Sequence, residues 1–330
     1  MIPSPATARI RSRRCFLRNA AAASLLTATA GCLPSPGGLG EDARPAAIWG
    51  RRGWSPGRLL KPRALAIDAA DQLYLVDTTG RIQVYSSQGE YLRGWKTPET
   101  EFGRPTGLSI TPDQQLLVAD THYFRMLVFE LDGTLLPERT IGGTSGRAPG
   151  EFAFVTDAVC DRRGIYYIGQ YGDWDQIQRF DHDGSLIDAW GATGREAGQF
   201  LRPQSLVLSE DHHQLWVADA CNHRIQVFDI STRTAPRLVQ SWGREGKGPG
   251  ELYYPYDLAI AGDGSIFVCE YGNQRVQRFS PAGQSLGILG RPGHGEGEFY
   301  QPWGLTFDSQ GRLFVLDSNN HRVQRFDRFA

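Results

Sequence analysis

The chain has 330 residues, with 39 Gly, only 2 Met, and 8 Trp, 12 Tyr and 16 Phe. This composition favours many short strands joined by tight turns over a helical protein. Five of the 35 basic residues are arginines that precede Ala20. The remainder of the chain has 30 basic and 36 acidic residues, a net charge of about −6. Such an acidic body repels phosphate backbones, so nucleic-acid binding is disfavoured.

The N-terminus carries the pattern of an export signal. Ser12-Arg-Arg-Cys-Phe-Leu-Arg18 precedes a run of small residues from Ala20 to Ala30. A charged start followed by a short, weakly apolar segment is typical of such signals, and the segment is too short and too Ala-rich to span a membrane stably. The first part resembles the bacterial twin-arginine signal, with Arg18 in the place of its lysine. The resemblance implies that residues 1–31 direct the export of a folded protein.

Two processing sites fit the end of this signal. Thr29-Ala-Gly-Cys32 resembles a lipoprotein processing box in which Cys32 receives the lipid, although Thr29 stands where a large aliphatic residue is usual. Ala28-Thr-Ala30 would instead serve an ordinary signal peptidase. Residues 32–45 are rich in Pro and Gly and predict a flexible tether. The tether favours the lipid anchor, which predicts a domain held on a membrane surface of the cell envelope; a periplasmic or secreted form is the alternative.

Six copies of one motif divide residues 46–330 into repeats. The clearest copy is Asp317-Ser-Asn-Asn-His-Arg-Val-Gln-Arg-Phe326. The position at its head recurs at intervals of 43, 50, 49, 51 and 47 residues, at Asp77, Asp120, Gln170, Asp219, Glu270 and Asp317. Each repeat holds four short alternating stretches separated by Gly, Asp or Pro turns. Four strands per repeat predict an all-β fold, a six-bladed β-propeller of four-stranded antiparallel blades, whose closure removes exposed sheet edges.

The two ends of the repeat region complement each other. Five repeats end in a fourth strand capped by Trp-Gly or a related pair, as in Trp242-Gly243, whereas the sixth stops after its third strand. A matching strand precedes the first repeat as Ala46-Ala-Ile-Trp-Gly50. We therefore expect the N-terminal strand to complete the last blade and to lock the ring without a covalent bond. The three cysteines of this region have no paired spacing and predict no disulfide framework.

The repeated D-x-x-N-H-R-[VI]-Q-x-F pattern, with its Pro-Gly-Glu-Phe and Trp-Gly elements, resembles the NHL-repeat family of six-bladed β-propellers. The resemblance covers residues 46–330 and rests on repetition of the motif. Peptidylglycine amidating lyases resemble this architecture, and in them histidines after the first-strand proline bind a catalytic zinc. The matching places here hold no histidine but Arg63, Thr106, Gln204, Tyr256 and Trp303. The resemblance thus implies that this zinc chemistry is absent, and no other cofactor motif is found.

The acid and the arginine of the motif recur together, as in Asp219 with Arg224. In the third repeat Gln170 and, allowing one inserted residue, Gln176 take their places. Both charges are lost at once, which indicates that they pair, because one buried charge left alone costs several kcal/mol. We interpret the motif charges as one structural ion pair per blade rather than as a ring of acids that holds a cation.

Three motif histidines, His122, His223 and His321, lie in alternate blades. They are expected on loops between second and third strands, and each strand step adds about 4.8 Å from the axis. Imidazoles so far apart cannot share one zinc ion, which needs every ligand at about 2 Å. The sequence therefore predicts no metal site.

The candidate ligand site lies where the first strand of each blade begins, at the mouth of the central channel. Residues just after the opening prolines, with two carboxylates one place further on, are expected to face this mouth: Arg63, Thr106, Thr156, Asp157, Gln204, Tyr256, Asp257 and Trp303. A cation, carboxylates, aromatic rings and small polar groups are typical of a binding pocket. A mouth that is merely solvated would carry the same residue types, and this alternative stays open.

The sequence predicts an exported, monomeric binding or scaffold module that engages a protein, a peptide or a small polar ligand at the funnel-shaped mouth. The alternative is a hydrolase or lyase that uses the funnel carboxylates and Arg63. Two carboxylates can divide the acid and base roles, but Asp157 and Asp257 lie in blades that are not neighbours and would have to act through the substrate. RNA binding, a third class, conflicts with export and with the acidic body.

Overall fold

The computed structural model describes residue 40 and residues 43–327. The predicted export signal, Cys32 and most of the predicted tether lie outside the described residues, as do residues 328–330. The described residues belong to one compact unit. None of the helices in this part of the chain is long and apolar enough to cross a membrane.

Within residues 43–327, six four-stranded antiparallel sheets form the blades, and the first strand of this range, β1 (Ala47–Trp49), belongs to the last of them. Blade one contains β2 (Pro62–Ile67), β3 (Leu73–Asp77), β4 (Arg81–Tyr85) and β5 (Tyr91–Lys96). Blade two contains β6 (Gly107–Ile110), β7 (Gln115–Asp120), β8 (Arg125–Glu130) and β9 (Ile141–Gly142). Blade three contains β10 (Phe154–Cys160), β11 (Tyr166–Tyr171), β12 (Gln176–Phe180) and β13 (Leu186–Trp190).

Blade four contains β14 (Pro203–Leu208), β15 (Gln214–Asp219), β16 (Arg224–Asp229) and β17 (Arg237–Trp242). Blade five contains β18 (Pro255–Ile260), β19 (Ile266–Glu270), β20 (Arg275–Phe279) and β21 (Ser285–Leu289). A small parallel pair, β22 (Arg291–Pro292) and β23 (Glu298–Phe299), leads to blade six. Blade six contains β24 (Gly304–Phe307), β25 (Leu313–Asp317) and β26 (Arg322–Phe326) beside β1, and short 3-10 helices occupy Thr121–Tyr123, Pro137–Arg139, Ala220–Asn222 and Ser318–Asn320.

The first strands of neighbouring blades contact one another in a closed cycle, β2–β6–β10–β14–β18–β24, so they surround the central axis. The second strands are covered on both faces, and β3 and β25 are buried at every position. One apolar cluster fills each of the six seams between blades. The predicted all-β, six-bladed propeller with four-stranded antiparallel blades is confirmed.

The seam between blades six and one joins the two ends of the repeat region. Strand β1 pairs antiparallel with β26, with Trp49 opposite Val323. The Trp49 ring meets Phe314 edge-on and also covers Gly89 in a turn of blade one. Gly89 has a φ of +88°, and a Cβ there would lie 2.6 Å from Cδ2 of Trp49. The N-terminal strand thus contacts both blades that meet at this seam.

Candidate funnel site

The motif loops and the starts of the first strands share one face of the ring, because the first and second strands of each blade are antiparallel. Pro203 at the start of β14 lies opposite Asp219 at the end of β15, and Pro255 lies opposite Glu270 in the same way. We call this face the funnel face. It opens into a central channel with a cavity of about 1410 Å³.

Of the eight predicted site residues, all except Thr156 line this cavity. Those on the cavity wall are Arg63, Thr106, Asp157, Gln204, Tyr256, Asp257 and Trp303. Thr156 is fully buried, and its hydroxyl donates a hydrogen bond to the carbonyl of Pro203 at 2.5 Å. Thr106 in turn donates to the carbonyl of Thr156 at 3.1 Å. The two threonines therefore connect blade two to blade three and blade three to blade four.

The two predicted carboxylates also connect neighbouring blades. Asp157 Oδ2 accepts the backbone N–H of Leu206 at 2.9 Å, and Asp257 Oδ2 accepts that of Leu305 at 2.9 Å. The other oxygen of Asp257 accepts the hydroxyl of Ser205 at 2.6 Å. Burial raises the pKa of Asp257 to about 6, and it also raises the pKa of Asp157 well above its ordinary value. Both carboxyl groups are thus engaged with the protein backbone below the mouth.

The arginines of the mouth lie against aromatic rings. The Arg63 guanidinium carbon lies 5.4 Å from the ring centre of Trp303. The Arg202 guanidinium carbon lies 4.7 Å from the ring of Tyr171 and 5.2 Å from that of Tyr256. Cation–π contacts of this kind gain strength as water is removed from the site.

The aromatic rings also contact one another and so connect the two arginines. Tyr256 stacks on Tyr271 with ring centres 4.4 Å apart and meets Trp303 edge-on at 4.9 Å. Tyr271 meets Trp303 at 5.6 Å. A continuous wall therefore runs from blade three to blade one, formed by Tyr171, Arg202, Tyr256, Tyr271, Trp303 and Arg63, and we call it the cup.

The cup is cationic. Among the described residues no carboxylate forms an ion pair with Arg63 or Arg202, and Arg63 makes no hydrogen bond. Arg104 lies close enough to lower the pKa of Arg63, as does Arg202, although burial is the largest cause of that shift. Arg104 itself donates to the carbonyls of Thr78 and Gly103. Two half-buried guanidinium groups thus lie on the cup without a carboxylate in ion-pair contact, in the part of the chain that the structure describes.

Four of the residues around the mouth were not among the sequence candidates: Arg104, Tyr171, Arg202 and Tyr271. Arg104 and Arg202 directly precede the prolines after which the candidates were sought. Arg202 has a left-handed backbone with a φ of +62°. Tyr171 and Tyr271 begin the motif loops of blades three and five. The recurrence of a large side chain at these two places was the signal available in the sequence.

The predicted ion pairs of the motif are confirmed. The five bonds measure 2.6 to 2.9 Å, and they join Asp77 to Arg81, Asp120 to Arg125, Asp219 to Arg224, Glu270 to Arg275 and Asp317 to Arg322. The acids are buried. Each arginine also reaches the loop that enters its own blade, as Arg224 does with the carbonyls of Arg195, Glu196 and Gln199. The pair therefore holds the loop against its blade.

Two of the three motif histidines, His223 and His321, accept hydrogen bonds from the next blade. His321 Nδ1 accepts the backbone N–H of Lys61 at 2.9 Å, and His223 Nδ1 accepts that of Tyr254 at 3.1 Å. Burial lowers the pKa of both imidazoles, which favours the neutral form that can accept. No group of three or more His, Cys, Asp or Glu side chains among the described residues is arranged to hold a metal ion.

Two family models match parts of the chain. The model described as NHL repeat matches residues 299–326, and the model described as SMP-30/Gluconolactonase/LRE-like region matches residues 157–294. Similar solved structures include a putative gluconolactonase (TM-score 0.61, 16% identity, covering 86% of this chain and 94% of that one). Another is a gluconolactonase from Xanthomonas campestris (TM-score 0.59, 16% identity, covering 88% and 95%). At such identities the structural likeness shows the fold alone.

Curated relatives carry both enzyme and repeat names. Peptidyl-glycine alpha-amidating monooxygenase A of Xenopus laevis is 26% identical, over 56% of this chain and 25% of the relative. A probable peptidyl-alpha-hydroxyglycine alpha-amidating lyase of Caenorhabditis elegans is 28% identical, over 47% and 46%. The human NHL repeat-containing protein 3 is 30% identical, over 51% and 52%. The chain spans a quarter to about a half of the length of these three relatives.

Proposed function

We propose that this six-bladed β-propeller is a binding module whose funnel face takes a small organic anion into the cup. The observation that carries this proposal is the pair of guanidinium groups, Arg63 and Arg202, that lie along one aromatic wall with no carboxylate ion-pair partner among the described residues. Cations that are partly buried lose hydration, and without a partner nothing in the protein replaces it. An anionic ligand would supply such a partner.

The cup suits a ligand in which a carboxylate is attached to a flat ring. A guanidinium group presents its N–H donors in a plane and binds a carboxylate through two parallel hydrogen bonds. The neighbouring rings of Tyr256, Tyr271 and Trp303 offer apolar faces and edges to the rest of such a ligand. The half-buried position strengthens the electrostatic attraction relative to water. A cavity of about 1410 Å³ has room for a small molecule.

Calorimetric titration with benzoate, benzamide and acetate tests the proposal. Benzoate has both a carboxylate and a flat ring, benzamide lacks the charge, and acetate lacks the ring. We expect benzoate to bind at least about tenfold more tightly than either, since a charge-assisted hydrogen bond contributes about 1.5–3 kcal/mol. Arg63→Ala and Arg202→Ala should each weaken benzoate binding by about tenfold or more.

The matched control is Arg244→Ala, which removes an exposed arginine that pairs with Glu251 on an outer loop. Its affinity for benzoate should equal that of the wild type. Equal binding of benzamide and benzoate, or unchanged affinity in both cup variants, would contradict the proposal.

A second candidate function is hydrolysis or elimination at the same face. The match of residues 157–294 to the SMP-30/gluconolactonase-like model and the names of the amidating relatives favour it. The funnel carboxylates, Asp157 and Asp257, are engaged with neighbouring blades, so Arg63 is the more accessible candidate to polarise a substrate carbonyl. Hydrolysis of D-glucono-1,5-lactone, followed as acid release at constant pH, should exceed the buffer rate and fall in Arg63→Ala. A rate equal to that of buffer would rule out this lactonase form.

The location of the module is also a proposal. The Ser12–Arg18 pattern and the Cys32 box support export and attachment to a membrane surface through one lipid. Metabolic labelling with a radioactive fatty acid should label the wild type and leave Cys32→Ser unlabelled. Label in neither protein would favour the ordinary signal peptidase and a free soluble form.

A further inference from the structure

In blade three a carboxylate occupies the place of the motif histidine. As His223 does for Tyr254 in the next blade, Asp175 accepts a hydrogen bond from the next blade, here the backbone N–H of Arg202 at 2.8 Å. Both residues that donate have a left-handed backbone, with φ of +51° at Tyr254 and +62° at Arg202. The two contacts are thus of the same kind, but at blade three the residue that donates the hydrogen bond, Arg202, belongs to the cup.

We infer that Asp175 is a positioning residue that fixes Arg202 with its guanidinium in the cup, an inference that rests on the proposed function. A residue other than glycine rarely adopts a left-handed backbone conformation without a compensating contact. The hydrogen bond to Asp175 supplies such a contact. Without this hydrogen bond, we expect the backbone of Arg202 to become extended, which would direct the Arg202 side chain away from its present neighbours.

Asp175 is well placed to act in this way because it is itself held rigidly. Its side chain is buried, and its Oδ2 accepts the hydroxyl of Thr193 at 3.0 Å. The same hydroxyl accepts the backbone N–H of Asp175 at 2.9 Å. The carboxylate therefore has little freedom to move away from the Arg202 amide.

The remaining contacts of Arg202 leave only the outer end of its guanidinium open. Nε donates to Gln204 Oε1 at 2.7 Å, and the planar group lies against Tyr171 and Tyr256. Nη1 and Nη2 have no hydrogen-bond partner among the residues that the structure describes. Because the backbone N–H and Nε are hydrogen-bonded and the group contacts two aromatic rings, the two terminal nitrogens form a preorganised donor pair, which lowers the entropy lost when an oxyanion binds.

Blade three departs from the motif at several places together. Gln170 and Gln176 replace the ion pair, one residue is inserted, and Asp175 replaces the histidine. The shorter side chain of aspartate reaches the next blade with the loop lengthened by this insertion. The departures fit one change of role, from holding a loop to positioning a cup residue.

The test is benzoate affinity measured by calorimetry on the full chain. Asp175→Ala should weaken binding about tenfold and should add nothing when combined with Arg202→Ala, because both changes remove the same interaction. Asp175→Asn keeps an acceptor oxygen and should bind within about twofold of the wild type.

The control is His212→Ala. His212 Nδ1 accepts the backbone N–H of Arg162 at 3.1 Å at the opposite end of the same seam between blades three and four. This variant removes a comparable contact between the same blades, so its melting temperature should fall while benzoate affinity stays within about twofold of the wild type.

The outcomes separate the two proposals. Wild-type affinity in Asp175→Ala beside weakened affinity in Arg202→Ala would overturn this inference alone. Unchanged affinity in Arg63→Ala and Arg202→Ala, or no benzoate binding by the wild type, would overturn the proposed function and this inference with it. If Asp175→Ala does not fold, Thr193→Val, which removes the hydroxyl that holds the carboxylate, should weaken binding by a smaller factor; wild-type affinity there would then overturn the inference.

Discussion

In blade six the loop after the second strand carries a buried charge pair, Asp317 with Arg322, and the arginine reaches back to the carbonyls of the loop that enters the blade. The same loop of blade three carries Gln170 and Gln176 at those positions. There Gln170 accepts a hydrogen bond from Gln178, and Asp175 reaches into blade four. The repeated loop therefore holds its own blade where the motif is complete, and in blade three it instead contacts a residue of the neighbouring candidate site.

Blade six differs from blade three also in how its sheet is completed, and this difference has the largest expected effect. A chain that begins at residue 51 lacks β1. Strand β26 then loses a hydrogen-bonded neighbour, and the apolar cluster that contains Leu316 loses its contact with Trp49. We expect it to melt at least about 10 °C lower than the wild type, or not to fold, as judged by circular dichroism.

A chain that begins at residue 43 is the control, because it keeps β1 and lacks the predicted export signal and most of the predicted tether. Its melting temperature should equal that of the wild type within about 2 °C. Equal melting temperatures for the two truncated chains would show that β1 does not lock the ring.

The charge pair of blade six can be compared directly with the neutral pair of blade three. Asp317→Ala leaves Arg322 without its partner, and removal of one member of a buried pair costs about 3–5 kcal/mol. Gln170→Ala removes a neutral hydrogen bond and should cost about 1 kcal/mol. Urea denaturation of both variants measures the difference, and equal losses of unfolding free energy would contradict the distinction between the two blades.

The smallest effect concerns His321, which accepts a hydrogen bond from blade one. Burial lowers the pKa of His321 in the folded protein, so the unfolded chain binds the proton more readily. The contribution of the neutral imidazole is therefore present above the ordinary histidine pKa of about 6.5 and is lost as the pH falls below it. The charged groups that act on His321 are Arg52, Lys61, Asp317 and Asp77.

The variant His321→Gln isolates this contribution, since a glutamine stays neutral over the same range. The raised pKa of Asp257 acts in the opposite direction between about pH 4 and 6, but it acts equally on both proteins. The difference in unfolding free energy between wild type and variant should narrow by up to about 1 kcal/mol between about pH 7.5 and 5.5. A difference that does not change with pH would mean that the bond to Lys61 does not depend on the neutral imidazole.

The fold could be predicted from the sequence because each blade repeats the same local signals. Alternating strands, glycine turns and the paired charges recur six times with few exceptions, and their agreement across copies identifies the architecture. The joint loss of both charges at Gln170 and Gln176 indicates from the sequence alone that the acid and the arginine of the other repeats pair.

The candidate site could be predicted only in part. The position of each first strand indicated the ring of residues around the mouth, and Arg63, Tyr256 and Trp303 were found in this way. The roles of Thr156, Asp157 and Asp257 depend on hydrogen bonds to the next blade, which a repeat pattern does not show. Arg202 was missed because its side chain enters the cup from a left-handed backbone, and the hydrogen bond of that backbone to Asp175 in another repeat is not shown by a repeat pattern.

A crystal structure of the protein with bound benzoate tests the central claim most directly. We predict that the carboxylate lies within hydrogen-bond distance of Nη1 or Nη2 of Arg202 and beside Arg63, with the ring against Tyr256 or Trp303. Benzoate bound only outside the cup, or an empty cup at concentrations that saturate binding in solution, would contradict the account.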